Sequence, residues 1–265
     1  MKRPDFQMKE HYTIQDLLTI MAVLRSDDGC VWDREQDHHS IRNNLIEETY
    51  EAVEAIDRED RDLLLEELGD VLMQVVFHAQ MEAEQGHFTF DDVCDGVCQK
   101  LIYRHPHVFG DVTVENSVQV LDNWDKLKQV EKHQETLASR LGGVSAALPG
   151  LMRAAKVQKR AAGAGFCYDD VQGAIRDLKS EIAELEAALE NRDAPNIAEE
   201  VGDILFSAVN VSRMAGADPE EALYRSTDKF VARVSAVEAL AMENGTPLSA
   251  YTSDQLDNLW RRVKE

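Results

Sequence analysis

Eight carboxylates in two copies of one pattern are the residues of this chain whose spacing most plainly suits chemistry. Glu48 and Glu51 are followed, after fifteen residues, by Glu67 and Asp70; Glu181 and Glu184 are followed, after the same gap, by Glu200 and Asp203. Every member of the first set maps onto the second by a shift of 133 residues. Acids three apart share one face of a helix, and two such pairs on antiparallel helices converge. Four oxygen ligands facing one another suit a hard divalent cation.

With 50 acidic residues in 265, a given four-acid register arises by chance about once in 800 starts, so one copy alone proves little. The rest of the chain repeats with it. Lys100 and Arg104 correspond to Lys229 and Arg233 at a shift of 129, and Trp124 and Lys128 to Trp260 and Lys264 at a shift of 136. The shift changes between elements and not within them, as loop insertions would produce, so the chain reads as an internal repeat. Any of these groups alone would read as a solvated helix face or a core anchor; together, in order, in both halves, they favour a site.

The quartets contain no histidine at helical spacing, which favours Mg²⁺ or Mn²⁺ over zinc or a di-iron centre. Magnesium keeps waters and takes oxygens from substrate phosphates. A Lys-x-x-x-Arg pair can meet a polyphosphate as point charge plus planar fork, and a tryptophan one turn from a lysine can lie under a base.

The elements that must position these residues read as helices. Thr13 can cap a helix to Arg25, Ser40 one to Asp57, and Asp60 one to Gln85 that stops at Gly86. Gly69, between two acids, and its counterpart Gly202 suggest close approach of a backbone or ligand. A helix from Asp91 through Lys100 and Arg104 ends at His105-Pro106, and another runs from Ser117 to about Glu135. Helices then begin near Leu151, before Glu181, at Asp193, at Asp218-Pro219 and at Thr252. No segment alternates like a half-buried strand for long, so the chain is expected to be all α. The boundaries are set at 1–136 for the first domain, 137–150 for a linker and 151–265 for the second.

A formal charge of −22 opposes general binding to nucleic acid or anionic membrane. The N-terminus lacks the apolar core of a signal peptide and no apolar run reaches the length of a membrane span, which fits a cytoplasmic protein. The four cysteines form no Cys-x-x-Cys pattern, and Cys94 and Cys98 are expected as small buried hydrophobes.

Over nearly its whole length the chain resembles the MazG family of nucleoside triphosphate pyrophosphohydrolases. The resemblance is carried by Leu45-Ile46-Glu47-Glu48-Thr49-Tyr50-Glu51, Glu67-Leu68-Gly69-Asp70, Arg104-His105-Pro106-His107-Val108-Phe109 and Glu200-Val201-Gly202-Asp203. It implies a tandem-domain member whose quartets bind Mg²⁺. It also implies hydrolysis between the α- and β-phosphates to a nucleoside monophosphate and diphosphate, and a homodimer in which helices of two chains complete the bundles. Glu181, or Glu48 in the first half, would orient the attacking water. Lys229, Arg233, Trp260 and Lys264, or Lys100, Arg104, Trp124 and Lys128, would contact the nucleotide. Ser180 stands where the first copy has Glu47. The second half is expected to carry most turnover, because the first half's basic pair ends at a helix break and should be held less rigidly.

Other motifs fail on context. Glu66-Glu67-Leu68-Gly69 lacks the remainder of a Nudix box, Asp37-His38-His39 follows no buried strand, His105 and His107 flank a helix-stopping proline, and no Walker-type lysine loop exists. Two alternatives stay open: a non-catalytic nucleotide-sensing or scaffolding all-α protein, and, more distantly, a carboxylate-bridged redox protein.

Overall fold

The computed structural model describes residues 6–131, 136–243 and 245–264, and all regular structure among them is helical, as expected. Glu135, the expected end of the helix from Ser117, lies outside the described residues. The chain divides into two compact units between Leu127 and Lys128.

The first unit contains α1 (Ile14–Arg25), α2 (Val31–Glu35), α3 (Arg42–Asp57), α4 (Arg61–Glu84), α5 (Phe90–Arg104), α6 (Pro106–Phe109) and most of α7 (Ser117–Glu131). At the start of α1, the Asp16 carboxylate accepts hydrogen bonds from the Thr13 backbone N–H and hydroxyl, both at 2.9 Å, and from the Lys9 ammonium. These bonds to its charged form hold the Asp16 carboxyl down at about 2, with the Lys9 bond the largest cause. α4 is the central helix, packing against α1, α3 and α5. Met21 from α1, Ile41, and Val76, Phe77 and Met81 from α4 are buried together with Leu17, Leu18, Met73 and Phe90 against them. The helix that Ser40 is expected to cap starts one residue later, at Arg42. Its N-cap is Ile41, and the Ser40 hydroxyl instead donates to the Asp37 carbonyl, inside a turn closed by the Asp37 carboxylate. The loop around Trp32 contains the short helix α2.

The second unit contains α8 (Leu137–Gly142), α9 (Gly150–Ala162), α10 (Val171–Asn191), α11 (Ala194–Met214), α12 (Pro219–Glu243), a 3₁₀ turn (Leu248–Ala250) and α13 (Ser253–Lys264). The stretch 137–150, read from sequence as linker, therefore holds a helix, which packs on α9, and a buried Val144. α10 and α11 form the principal pair, with α9 laid across α11, and α12 pairs with α13. Buried Gly173, Ala174 and Ala188 on α10 have the small side chains that let helices approach closely.

The turn that joins the acid-bearing helices is the same in both units. Glu59 and Arg192, 133 apart, are the non-glycine residues with positive φ among those described, at 54° and 53°. The next residues, Asp60 and Asp193, cap the following helix with their carboxylates and send their N–H groups back to the carbonyls of Ala55 and Ala188 at 3.0 and 3.1 Å. Ala55 and Ala188 are buried, so each turn is closed over a packed alanine.

A Cβ built on Gly69 or Gly202 meets nothing within 4 Å among the described residues, so no backbone of the same unit closes on either glycine, and of the two approaches expected there that of a ligand stays open. One expectation is corrected. Cys94 is half-buried and Cys98 exposed, because the face of α5 that carries them is left uncovered.

Candidate active site

α3 and α4 bring Glu48, Glu67 and Asp70 together, and α10 and α11 bring Glu181, Glu184 and Glu200 together; in each trio one carboxylate oxygen per residue lies within 4.8 Å of the others. The first and third acids of the pattern belong to both trios. The third is the buried one in both, Glu67 at 7% exposure and Glu200 at 8%, while Glu51, Glu184 and Asp203 are exposed. Helix periodicity brings both pairs of acids to the adjoining sides of the two helices, and in each unit three of the four meet.

The clusters carry their own electrostatic signature. Burial raises the Glu48 and Glu67 carboxyls above the usual carboxylate range, and neighbouring carboxylates add to it, Asp70 first for Glu48 and Glu51 first for Glu67. A hydrogen bond from Glu51 contributes to both, which ties the fourth acid to the trio. Burial likewise raises Glu181 and Glu200, followed for each by the charge of Glu184 and then, among others, of Asp203. Carboxylates held together in this way relieve their repulsion by keeping protons or by taking a cation.

Ser180, which replaces the glutamate found in the first copy, donates from its hydroxyl to Glu184 at 3.3 Å. Asp177, one turn before Glu181, is a fifth acid that the sequence reading missed, and its charge also raises Glu181. Both its oxygens are occupied, by the Tyr168 hydroxyl at 2.7 Å and the Ser207 hydroxyl at 2.8 Å.

The basic residues gather separately. α12 and α13 place the Arg233 guanidinium 5.9 Å and the Lys264 ammonium 5.8 Å from the centre of the Trp260 ring, with Phe230 tilted against it at 5.6 Å; Lys229 is exposed one turn earlier. In the first unit the Arg104 guanidinium lies 5.2 Å from the Trp124 ring. Among the described residues no ion pair joins Lys229, Arg233 or Lys264 to the acids of the second quartet. Arg104 is only 7% exposed, so the residue next to the helix break is packed rather than loosely held, contrary to the expectation from the proline. Lys100 is exposed, and Lys128 is half-buried on α7.

The first unit also holds a histidine network with no equivalent in the second. His38 stacks on His78 with ring centres 5.0 Å apart and Nδ1 atoms 2.7 Å apart; its Nε2 meets Glu82 at 2.6 Å, and His87 meets the other Glu82 oxygen at 2.7 Å. Shifted by 133, His78 and Glu82 become Val211 and Ala215. The two units therefore share the acid core and differ around it.

Comparison with known proteins agrees with this repeated arrangement. The MazG nucleotide pyrophosphohydrolase domain matches twice, at residues 36–109 and 170–237, and each match contains one whole quartet. A nucleoside triphosphate pyrophosphohydrolase/pyrophosphatase MazG of Thermotoga maritima is 43% identical over 250 residues, 94% of this chain and 95% of that protein. The nucleoside triphosphate pyrophosphohydrolase of Escherichia coli K12 is 42% identical over 254 residues, 95% of this chain and 97% of that protein. An uncharacterized Bacillus subtilis protein, YabN, is 44% identical over 250 residues, which make up half of its length. With both quartets inside matched domains, the chain belongs to the MazG nucleotide pyrophosphohydrolase family, as a member with two copies of its domain.

Proposed function

We propose that the protein is a Mg²⁺-dependent nucleoside triphosphate pyrophosphohydrolase that converts a nucleoside triphosphate and water to the monophosphate and diphosphate. The observation that carries this reading is the pair of carboxylate trios, each within 4.8 Å and each with members raised first by burial and then by their neighbours' charge. The donor set fits the cation, being hard oxygen only, partly buried and short of positive charge. Glu181, Glu184, Glu200 and Asp203 would hold it in the second unit, and Glu48, Glu51, Glu67 and Asp70 in the first. When bound, Mg²⁺ supplies charge neutralisation on the phosphate oxygens and a more acidic water; Mn²⁺ can substitute.

The chain's own groups divide the remaining work. Glu181, with its raised carboxyl and half-buried position, is suited to orient the attacking water and take its proton. Glu48 is the equivalent group in the first unit. Lys229, Arg233 and Lys264 carry the charge to offset the triphosphate as the bond breaks, with Trp260 as the surface they pack on. Lys100, Arg104, Trp124 and Lys128 are their counterparts. With no ion pair between the basic group and the quartet, the phosphates of the nucleotide would engage both.

Uncovered apolar residues on the acid-bearing helices support a homodimer. Leu65 is 76% exposed and Leu68 54% on α4, and Leu205 is 53% exposed on α11, the kind of surface a second copy would cover. Among the described residues no helix is long and apolar enough to cross a membrane, which fits a cytoplasmic setting. Incubating the protein with ATP, with and without Mg²⁺, and separating the products tests the reaction. AMP and diphosphate only with Mg²⁺ is the expected result, and ADP with orthophosphate defeats the reading. Release of unchanged ATP would favour the nucleotide-sensing alternative.

A further inference from the structure

The two trios are not built from the same three positions. In the first unit Asp70 joins Glu48 and Glu67, and Glu51 stands outside; in the second Glu184 joins Glu181 and Glu200, and Asp203 stands outside. Each hairpin can be measured from its turn. Glu51 and Glu67 lie 8 residues on either side of Glu59, Glu48 and Asp70 lie 11, and Asn44 and Gln74 lie 15. Around Arg192 the same levels hold Glu184 with Glu200, Glu181 with Asp203, and Asp177 with Ser207. The first trio is therefore displaced away from its turn and the second toward its turn.

The level beyond the acids differs in the same sense. In the second unit it is closed: the Ser207 hydroxyl donates to Asp177 at 2.8 Å, and Tyr168 donates to the other oxygen of Asp177 at 2.7 Å. In the first unit it is open. Gln74 is 5% exposed, and its Oε1 is buried with no hydrogen-bond partner among the described residues. His78, the next residue along that face, has its Nδ1 turned to His38 instead. A side chain on a helix leans back over the turn before it, so Gln74 reaches toward Asp70, four residues earlier and about 6 Å back along α4. The unmatched acceptor thus faces the end of the quartet toward which the first trio is displaced.

A buried acceptor without a donor is costly, and ionised carboxylates cannot supply the hydrogen it lacks. A water held by a divalent cation can. Magnesium keeps several of its waters when it binds carboxylates, and groups that hold such ligands from behind tune the affinity of the site. We propose that Gln74 accepts a hydrogen bond, through Oε1, from a water of the divalent cation on the first quartet, and that the two units therefore hold their cations unequally. The assignment rests on the reading that the quartets bind Mg²⁺ or Mn²⁺. Ser207 offers no equivalent in the second unit, since it is shorter and its hydroxyl is committed to Asp177.

Mn²⁺ alone is the probe, titrated into the full chain with the free ion read by electron paramagnetic resonance. On a Glu200→Gln background, where the first quartet is the intact one, Gln74→Leu should weaken binding at least about tenfold. On a Glu67→Gln background, where the second is intact, it should change nothing. Gln74→Glu keeps an acceptor oxygen in place and should retain the affinity that leucine loses. Thermal melts add a readout that depends on sign. Without metal, leucine removes an unmatched acceptor, so the melting temperature should hold or rise; with saturating Mg²⁺ the variant should gain less than the wild type. A packing role alone would move both melts together. A Gln74→Leu titration that superimposes on its Glu200→Gln parent, or weakening that is equal on both backgrounds, overturns the proposal. If Gln74→Leu does not fold, Gln74→Met is judged by the same titrations. A wild type that binds no Mn²⁺ overturns the cation reading and this proposal with it. Weakened Mn²⁺ binding in a protein that leaves ATP intact keeps the role of Gln74 and removes the pyrophosphohydrolase.

Discussion

Truncating Phe77 to alanine should unfold the first unit selectively. Its ring is 5% exposed and packs with Met21, Ile41, Val76 and Met81 beneath the Arg25 guanidinium. Removing a buried phenylalanine costs about 3–5 kcal/mol, and losing a cation–π contact costs about 0.5–1 kcal/mol more. Set against the roughly 5–15 kcal/mol that holds a domain together, this removes a large part of the unit's stability. Hydrogen exchange on the full-length protein localises the effect. The slowest amides of α1, α3 and α4 should exchange at least about a hundredfold faster, while those of α10 and α11 keep wild-type protection. Triphosphate turnover should survive, because the second quartet belongs to the second unit. A hundredfold effect shared equally by α10 and α11 would refute the independence of the two cores. Full loss of turnover with α10 and α11 still protected would refute the assignment of turnover to the second unit.

Replacing Glu200 with glutamine should abolish metal-dependent turnover yet raise the melting temperature of the metal-free protein, since it removes one charge from a mutually repelling set; Glu67→Gln should raise it likewise while sparing most activity. The carboxyls of Glu48, Glu67, Glu181 and Glu200 are raised, so the folded chain keeps protons that the unfolded chain has lost. Their contribution is therefore best below the ordinary value of 4.5, declines as pH rises through the raised values, and is flat above them. The Mg²⁺-induced rise in melting temperature should accordingly grow with pH across that window, and a rise that shrinks with pH contradicts the quartets as the cation site. Burial, with the charge of His38, lowers His78, so the first unit should lose stability as pH falls below 6.5; His78→Val, the residue type at the shifted position, should remove that dependence in a thermal melt. A fragment beginning at Thr136 should hydrolyse ATP faster than one beginning at Leu151, because the shorter one lacks α8 and its packing on α9, and equal rates would contradict that supporting role.

Much of this molecule was legible because its signals are local. Asp60, Asp193 and Asp218 cap the helices their positions announce, and Thr252 with Gln255 forms the expected box. The acids face one another because a three-residue spacing fixes the side of a helix whatever surrounds it. What could not be read depends on partners distant in sequence. His38 and His78 are 40 residues apart, and Gln158 meets Phe206 across 48. Ser40 looked like a cap, but Asp37 offered its neighbours a competing turn. Periodicity marked Cys94 and Cys98 as one face of α5 without saying whether anything lies over it, and Pro106 predicted where α5 ends without revealing that Arg104, just before it, is buried against Trp124. Asp177 could have been found, since it sits one turn before Glu181 on the same face.

The left-handed residues Glu59 and Arg192 have a consequence for how this chain can change length. Each sits in the turn between two acid-bearing helices. One residue added there would slide the second helix by about 1.5 Å and rotate it by about 100°, carrying both of its acids off the shared face. The shift between halves is 133 at Glu48, at Glu59, at Asp60 and at Asp70 alike, while outside this span it is 136 between Asp33 and Asp169 before it and 129 between Lys100 and Lys229 after it. Insertions and deletions have accumulated on both sides of the hairpin and none within it. The turn works as a ruler, and designed grafts or fusions should treat α3 through the start of α4, or α10 through the start of α11, as one indivisible length.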